Sequence, residues 1–161
     1  MKVIKARQSS IYRRLEHLLG KAMAVTERIP KNAYGLQVIG ARLCNELVDA
    51  LVITDYALRT SAYDQRTAYI ESLIHNMTVV TTLCRGLHDY SCKEKHENTI
   101  SSNGKPVARV VPRHGRIVSN AQYTSLLEDF HILSREIGAW RKSCMTKQMA
   151  DAIDKGHKDK T

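Results

Sequence analysis

Cys84, His88, Cys92 and His96 recur at four-residue intervals, and cysteine and histidine are the usual side chains of zinc sites. On a continuous helix, however, these four are strung over about 18 Å. One tetrahedral ion with bonds of about 2.0–2.3 Å cannot gather ligands spread along that length. The spacing therefore predicts no metal site, with Cys84 in a core and His88 and His96 in solvent. Carboxylates offer a second possibility, because Glu46, Asp49 and Asp55 fall in one periodic segment and Glu71 in the next. A di-metal carboxylate bundle needs inward-facing glutamates together with Glu-x-x-His motifs on two paired helices, and the sequence carries no such pair of motifs. No serine stands in a Gly-x-Ser-x-Gly setting, and no Gly-x-x-x-x-Gly-Lys-Ser/Thr loop is present to cradle phosphate. The expectation is a nonenzymatic protein with no metal and no cofactor.

Positive charge is the stronger chemical signal. The 161 residues include 25 Lys+Arg against 16 Asp+Glu, a formal net charge of +9. Residues 1–14 hold five bases and no acid, residues 91–118 six bases against two acids, and residues 135–161 seven against four. The rest of the chain has seven bases and ten acids, so the excess decorates the ends and one loop of a nearly balanced body. Such a field attracts polyanions and gives salt-dependent affinity for phosphate backbones. Arg13, Arg14, Arg109, Arg113, Arg116, Arg141 and Lys142 are the expected phosphate contacts. The alternative is a basic protein–protein scaffold that docks an acidic partner without touching nucleic acid.

The elements that must position these residues are helical. Only Pro30, Pro106 and Pro112 break the chain, and a long stretch without proline favours long helices. A first periodic run covers about Ser10 to Ile29, capped by Ser9 or Ser10, with Tyr12, Leu15, Leu18, Leu19, Ala22, Val25 and Ile29 on one stripe. A second places Leu36, Ile39, Leu43, Leu47, Leu51, Thr54 and Leu58 on one face, with Gly40, Ala50 and Ala57 small enough to admit a close helix. A third begins after Asp64 with Tyr69, Leu73, Met77, Val80, Leu83, Cys84 and Leu87. The fourth starts at Ser119, which forms a capping-box pattern with Gln122, and carries Tyr123, Leu126, Leu127, Phe130, Leu133, Ile137 and Trp140.

The predicted fold is all-α, an antiparallel four-helix bundle over residues 10–145, preceded by a basic segment 1–9 and followed by a polar, frayed tail 146–161. Residues 91–118 form an insertion too long for a bundle loop. Within it, Asn98–Ile100 and Val107–Val111 read as short strands around an Asn103-Gly104 turn; the other reading is a mobile polar segment. The polar N-terminus gives no secretory signal, no apolar run is long enough to span a membrane, and the scattered cysteines read as reduced thiols. A cytoplasmic protein is expected.

Three stretches carry a family resemblance. Ile29-Pro30-Lys31 leads through Tyr34 to a long helix with Gly40, Arg42 and Asp49. Ile117-Val118-Ser119-Asn120-Ala121-Gln122-Tyr123 follows, and then Arg135-Glu136-Ile137-Gly138-Ala139-Trp140-Arg141-Lys142-Ser143. Across most of residues 12–143 the chain resembles the Avd-like four-helix-bundle proteins, the accessory variability proteins of diversity-generating retroelements, which are related to the intervening-sequence proteins of ribosomal RNA. The most specific part is the end of the fourth helix. Ile132-Leu133-Ser134 departs from the Glu-Ile-Gly usual there, and the loop before that helix is enlarged. The resemblance implies a homopentameric basic barrel that binds a reverse transcriptase with its template RNA, and the cDNA made from it, to support mutagenic cDNA synthesis.

Overall fold

The computed structural model describes residues 9–91, 94–112 and 117–158. Four helices pack in a closed antiparallel ring: α1 (Ser10–Thr26), α2 (Tyr34–Arg59), α3 (Tyr63–Ser91) and α4 (Asn120–Lys158). Each helix packs on the next and α4 returns to α1, so α2 and α4 lie diagonally across the bundle. The core consists of apolar positions at three- and four-residue spacing, among them Leu15, Leu18, Leu43, Leu47, Leu73, Val80, Phe130, Leu133 and Ile137.

Local chemistry sets the ends. Ser9 caps α1 by accepting from the Tyr12 amide. The helix stops at Thr26 rather than Ile29, because Arg28 and Ile29 bond back three residues, to the carbonyls of Val25 and Thr26, and Pro30 removes the next donor. Gln37 Nε2 donates to the Pro30 carbonyl at 3.0 Å and holds the turn into α2. Gly40 sits where α1 crosses α2: a Cβ there would lie 2.7 Å from Thr26 Cγ2 and 2.8 Å from Ile29 Cδ1. Arg66 donates to the Thr60 carbonyl and ties the short α2–α3 connection. At the start of α4 the capping box closes reciprocally, with the Gln122 amide donating to Ser119 Oγ and the Ser119 amide to Gln122 Oε1, both at 3.1 Å.

Among the described residues three polar side chains enter the core. Thr54 donates to the Ala50 carbonyl of its own helix. Glu46 of α2 accepts from Asn76 Nδ2 of α3 at 2.6 Å and from Arg42 one turn before it. The Asn76 Oδ1 is buried without a hydrogen-bond partner.

Between α3 and α4, β1 (Glu94–Ile100) and β2 (Pro106–Pro112) run antiparallel, with Glu97 opposite Arg109. The Gly104 amide donates to Ser101 and the Ser101 amide to Lys105. Among the described residues Gly104 alone takes a positive φ, 72°, which is the left-handed residue of a three-residue turn rather than half of a two-residue Asn-Gly turn.

The fourth helix overturns one boundary. Residues 146–158 are helical, not frayed, and every one of them is exposed. Polar character alone does not stop a helix, and no proline interrupts this stretch. Tyr63, the first residue of α3, lies against the Lys147 ammonium, 5.5 Å from its ring centre. Beyond that level α4 continues with every described residue exposed, carrying Met149 and Ile153 into solvent.

Candidate nucleic-acid interface

Ion pairs tie α4 to both of its neighbours. Arg14 Nε of α1 donates to Glu136 Oε1 at 3.0 Å, and Ser10 Oγ reaches the other oxygen of the same carboxylate at 3.4 Å. Two turns away, Lys21 Nζ bonds Asp129 and Ser125. On the opposite flank Arg141 Nε donates to Glu71 of α3. All these pairs are partly exposed, so each contributes about 0–1 kcal/mol.

Two of the expected phosphate contacts, Arg14 and Arg141, therefore fasten helices. Arg13 is exposed on α1. It shares with Arg14, Arg141 and Lys142 the end of the bundle where α1 begins, as the Arg14–Glu136 pair requires. Arg109 lies on β2, apart from that end in the chain. Arg113, Arg116 and residues 1–8 of the basic N-terminal segment lie outside the described residues.

The outward face of α4 adds Arg135, which belongs to the basic segment 135–161 but was not among the expected phosphate contacts. Arg135 and Lys142 are both exposed, and neither has a hydrogen-bond or ion-pair partner among the described residues. They stand seven residues, about 10 Å, apart on the same face. Gly138 and Ala139 lie between them, also exposed, and leave the helix backbone open to close approach. The readable signal was the seven-residue spacing across two small residues.

The other chemistry-bearing residues do not converge. Glu46 belongs to the buried pair with Asn76, Asp55 bonds Arg59 at 3.0 Å, Glu71 bonds Arg141, and Asp49 faces solvent. The chain contains a single Glu-x-x-His, Glu128–His131, and both of its end residues are exposed on α4 rather than turned inward. The Cys84–His88 spacing is not a ligand pair either. Cys84 is buried, and its thiol is pushed up to about 12 by that burial and, secondarily, by Cys44. His88 stacks on Tyr123 with ring centres 4.2 Å apart, between Asp89 and Asn120. Cys92 lies outside the described residues and His96 lies on β1. Among the described residues no three His, Cys, Asp or Glu side chains form a metal-holding group, and no helix is long and apolar enough to cross a membrane.

These features define a four-helix bundle with two exposed cations, Arg135 and Lys142, unpartnered among the described residues on one face of α4. Comparisons with protein-family models, curated proteins and solved structures find no match to the chain.

Proposed function

We propose that this chain is a nonenzymatic accessory subunit of a diversity-generating retroelement, which holds template RNA against a reverse transcriptase during mutagenic cDNA synthesis. The observation that carries this reading is the outer face of α4. Arg135 and Lys142 flank Gly138 and Ala139 there without partners among the described residues, inside the stretch that most resembles the Avd-like proteins. Fixed cations on a rigid helix, spaced by small residues, suit a phosphate backbone. Arg13 extends the basic end onto α1, beside Arg14, whose guanidinium is engaged by Glu136. The insertion 91–118 supplies further contact surface through Arg109, Arg113 and Arg116, and the subunit works as a homo-oligomeric ring of five copies in the cytoplasm.

Separate titrations against RNA and against the reverse transcriptase, each over a range of salt, test the proposal. Steeply salt-dependent RNA binding together with binding to the polymerase supports it. Binding to an acidic protein partner with no RNA affinity at low salt would instead establish a protein scaffold. The gene neighbourhood is an independent check: a reverse transcriptase gene beside paired template and variable repeats is expected.

A further inference from the structure

Among the described residues the outer face of α2 is open apart from Tyr56, whose ring stacks on Tyr69 of α3 with centres 5.9 Å apart. Tyr34 is 76% exposed, Val38 69%, Val48 45%, Val52 46% and Tyr56 54%. Ala41 and Asn45, between them, are exposed as well. Steps of three and four residues place these residues on one straight stripe about 33 Å long. The same helix buries its opposite side, Leu36, Leu43, Leu47, Ala50 and Ala57, against α1 and α3. An apolar stripe of this length on a helix surface marks an interaction site.

The stripe reads almost identically in both directions about Asn45: Tyr34, Val38 and Ala41 on one side, Val48, Val52 and Tyr56 on the other. Its charged edge has the same symmetry. Arg42 precedes Asn45 by three residues and Asp49 follows it by four, on the same side of the stripe. Asp49 is exposed with no ion-pair partner among the described residues, and the Arg42 side chain is 63% exposed although it bonds Glu46.

We infer that a second copy of this chain covers the face, its α2 antiparallel to the first about a two-fold axis at Asn45. In that arrangement Val38 meets Val52 of the other copy, Ala41 meets Val48, and the two tyrosines meet at each end. Each Arg42 stands beside the other copy's Asp49, so two ion pairs close the same edge. The Asn45 amides face each other at the axis, where a polar side chain fixes the register of a helix pair. An arrangement in which residue i contacts j and j contacts i is isologous and joins copies in twos. A ring of five needs two different complementary faces on each copy. The α2 contact is therefore additional to any such ring and does not depend on the functional reading above.

The test is the mass of the full chain in solution together with a site-specific cross-link. The proposal expects an assembly with an even number of 18.2 kDa chains. Val38→Asp with Val52→Asp, both at exposed positions that leave the core intact, should halve that mass while circular dichroism stays helical. Asn45→Cys should give a disulfide-linked pair of chains on mild oxidation, and the parent chain, with its four cysteines, should not. A monomer, an odd-numbered assembly, or an assembly in which Asn45→Cys gives no linked pair would overturn the inference. RNA affinity is read separately, so failure of the α2 pairing and failure of the RNA-binding reading are distinguishable.

Discussion

Arg141 of α4 donates to Glu71 of α3 across the helix seam, while Lys142, the next residue on the same helix, faces solvent alone among the described residues. Neighbouring bases thus have different work. Arg141→Ala removes a half-exposed ion pair and should cost no more than about 1 kcal/mol. Lys142→Ala should leave stability unchanged and weaken RNA binding. Urea denaturation of both variants beside RNA titrations checks the division; equal losses of RNA affinity with equal losses of stability would contradict it.

The crossing of α1 over α2 depends on Gly40. An alanine there gains about 1 kcal/mol of helix propensity, but its methyl would press on Thr26 Cγ2 and Ile29 Cδ1. Thr26 is β-branched and bonds the Met23 carbonyl at 2.8 Å, so it cannot move away freely. Overpacking of this kind costs about 1–3 kcal/mol. Gly40→Ala should therefore lower the melting temperature, whereas Gly20→Ala, whose Cβ would meet nothing within 4 Å, should raise it.

Glu46 and Asn76 hold α2 and α3 together through a buried hydrogen bond. Changing Glu46 alone to alanine strands the Asn76 amide and should cost about 1–3 kcal/mol. Replacing both residues by leucine removes the unsatisfied groups and should recover much of that loss. A double-mutant cycle by chemical denaturation measures the coupling.

Cys84 gives a pH dependence with a definite sign. Burial raises its thiol from 9.0 in the unfolded chain to about 12 in the folded one. Below pH 9 neither state ionises and this group makes no difference. Between 9 and 12 only the unfolded state loses the proton, so the group's contribution falls by about 1.4 kcal/mol per pH unit. The stability of the protein relative to Cys84→Ala should hold constant from pH 7 to 8.5 and narrow from pH 9.5 to 11. A difference that does not change with pH would contradict the burial account.

Local patterns were legible in the sequence, and relationships between distant residues were not. Ser119 and Gln122 are three residues apart, so their capping box could be read directly. The helical period located Leu15, Leu43, Leu73 and Phe130, but it misjudged the edges of each apolar arc. Ile11 is buried where Tyr12 was expected, Ile70 where Tyr69 was, and Ala50 and Ala57 displace Leu51 and Leu58 to half-buried positions. Small and branched residues fit the narrow seams between helices, while tyrosines keep their hydroxyls near water. The Arg14–Glu136 pair joins residues 122 apart, and Glu46 meets Asn76 only because α2 and α3 are antiparallel. No local spacing announces either contact. The same is true of the candidate site, where charge density indicated Arg14, Arg141 and Lys142 alike, and only the packing separated the first two from Lys142 and from Arg135 on the same face.

The most direct test of the central claim is the salt dependence of RNA binding by Arg135→Gln with Lys142→Gln, measured beside Arg14→Gln with Arg141→Gln. If the outer face of α4 holds the phosphate backbone, the first variant should bind every RNA sequence more weakly. Its plot of log affinity against log salt should be shallower by about 1.4 for single-stranded RNA, at about 0.7 per contact, and the second variant should change the slope less. An unchanged affinity and slope in the Arg135/Lys142 variant would contradict the account.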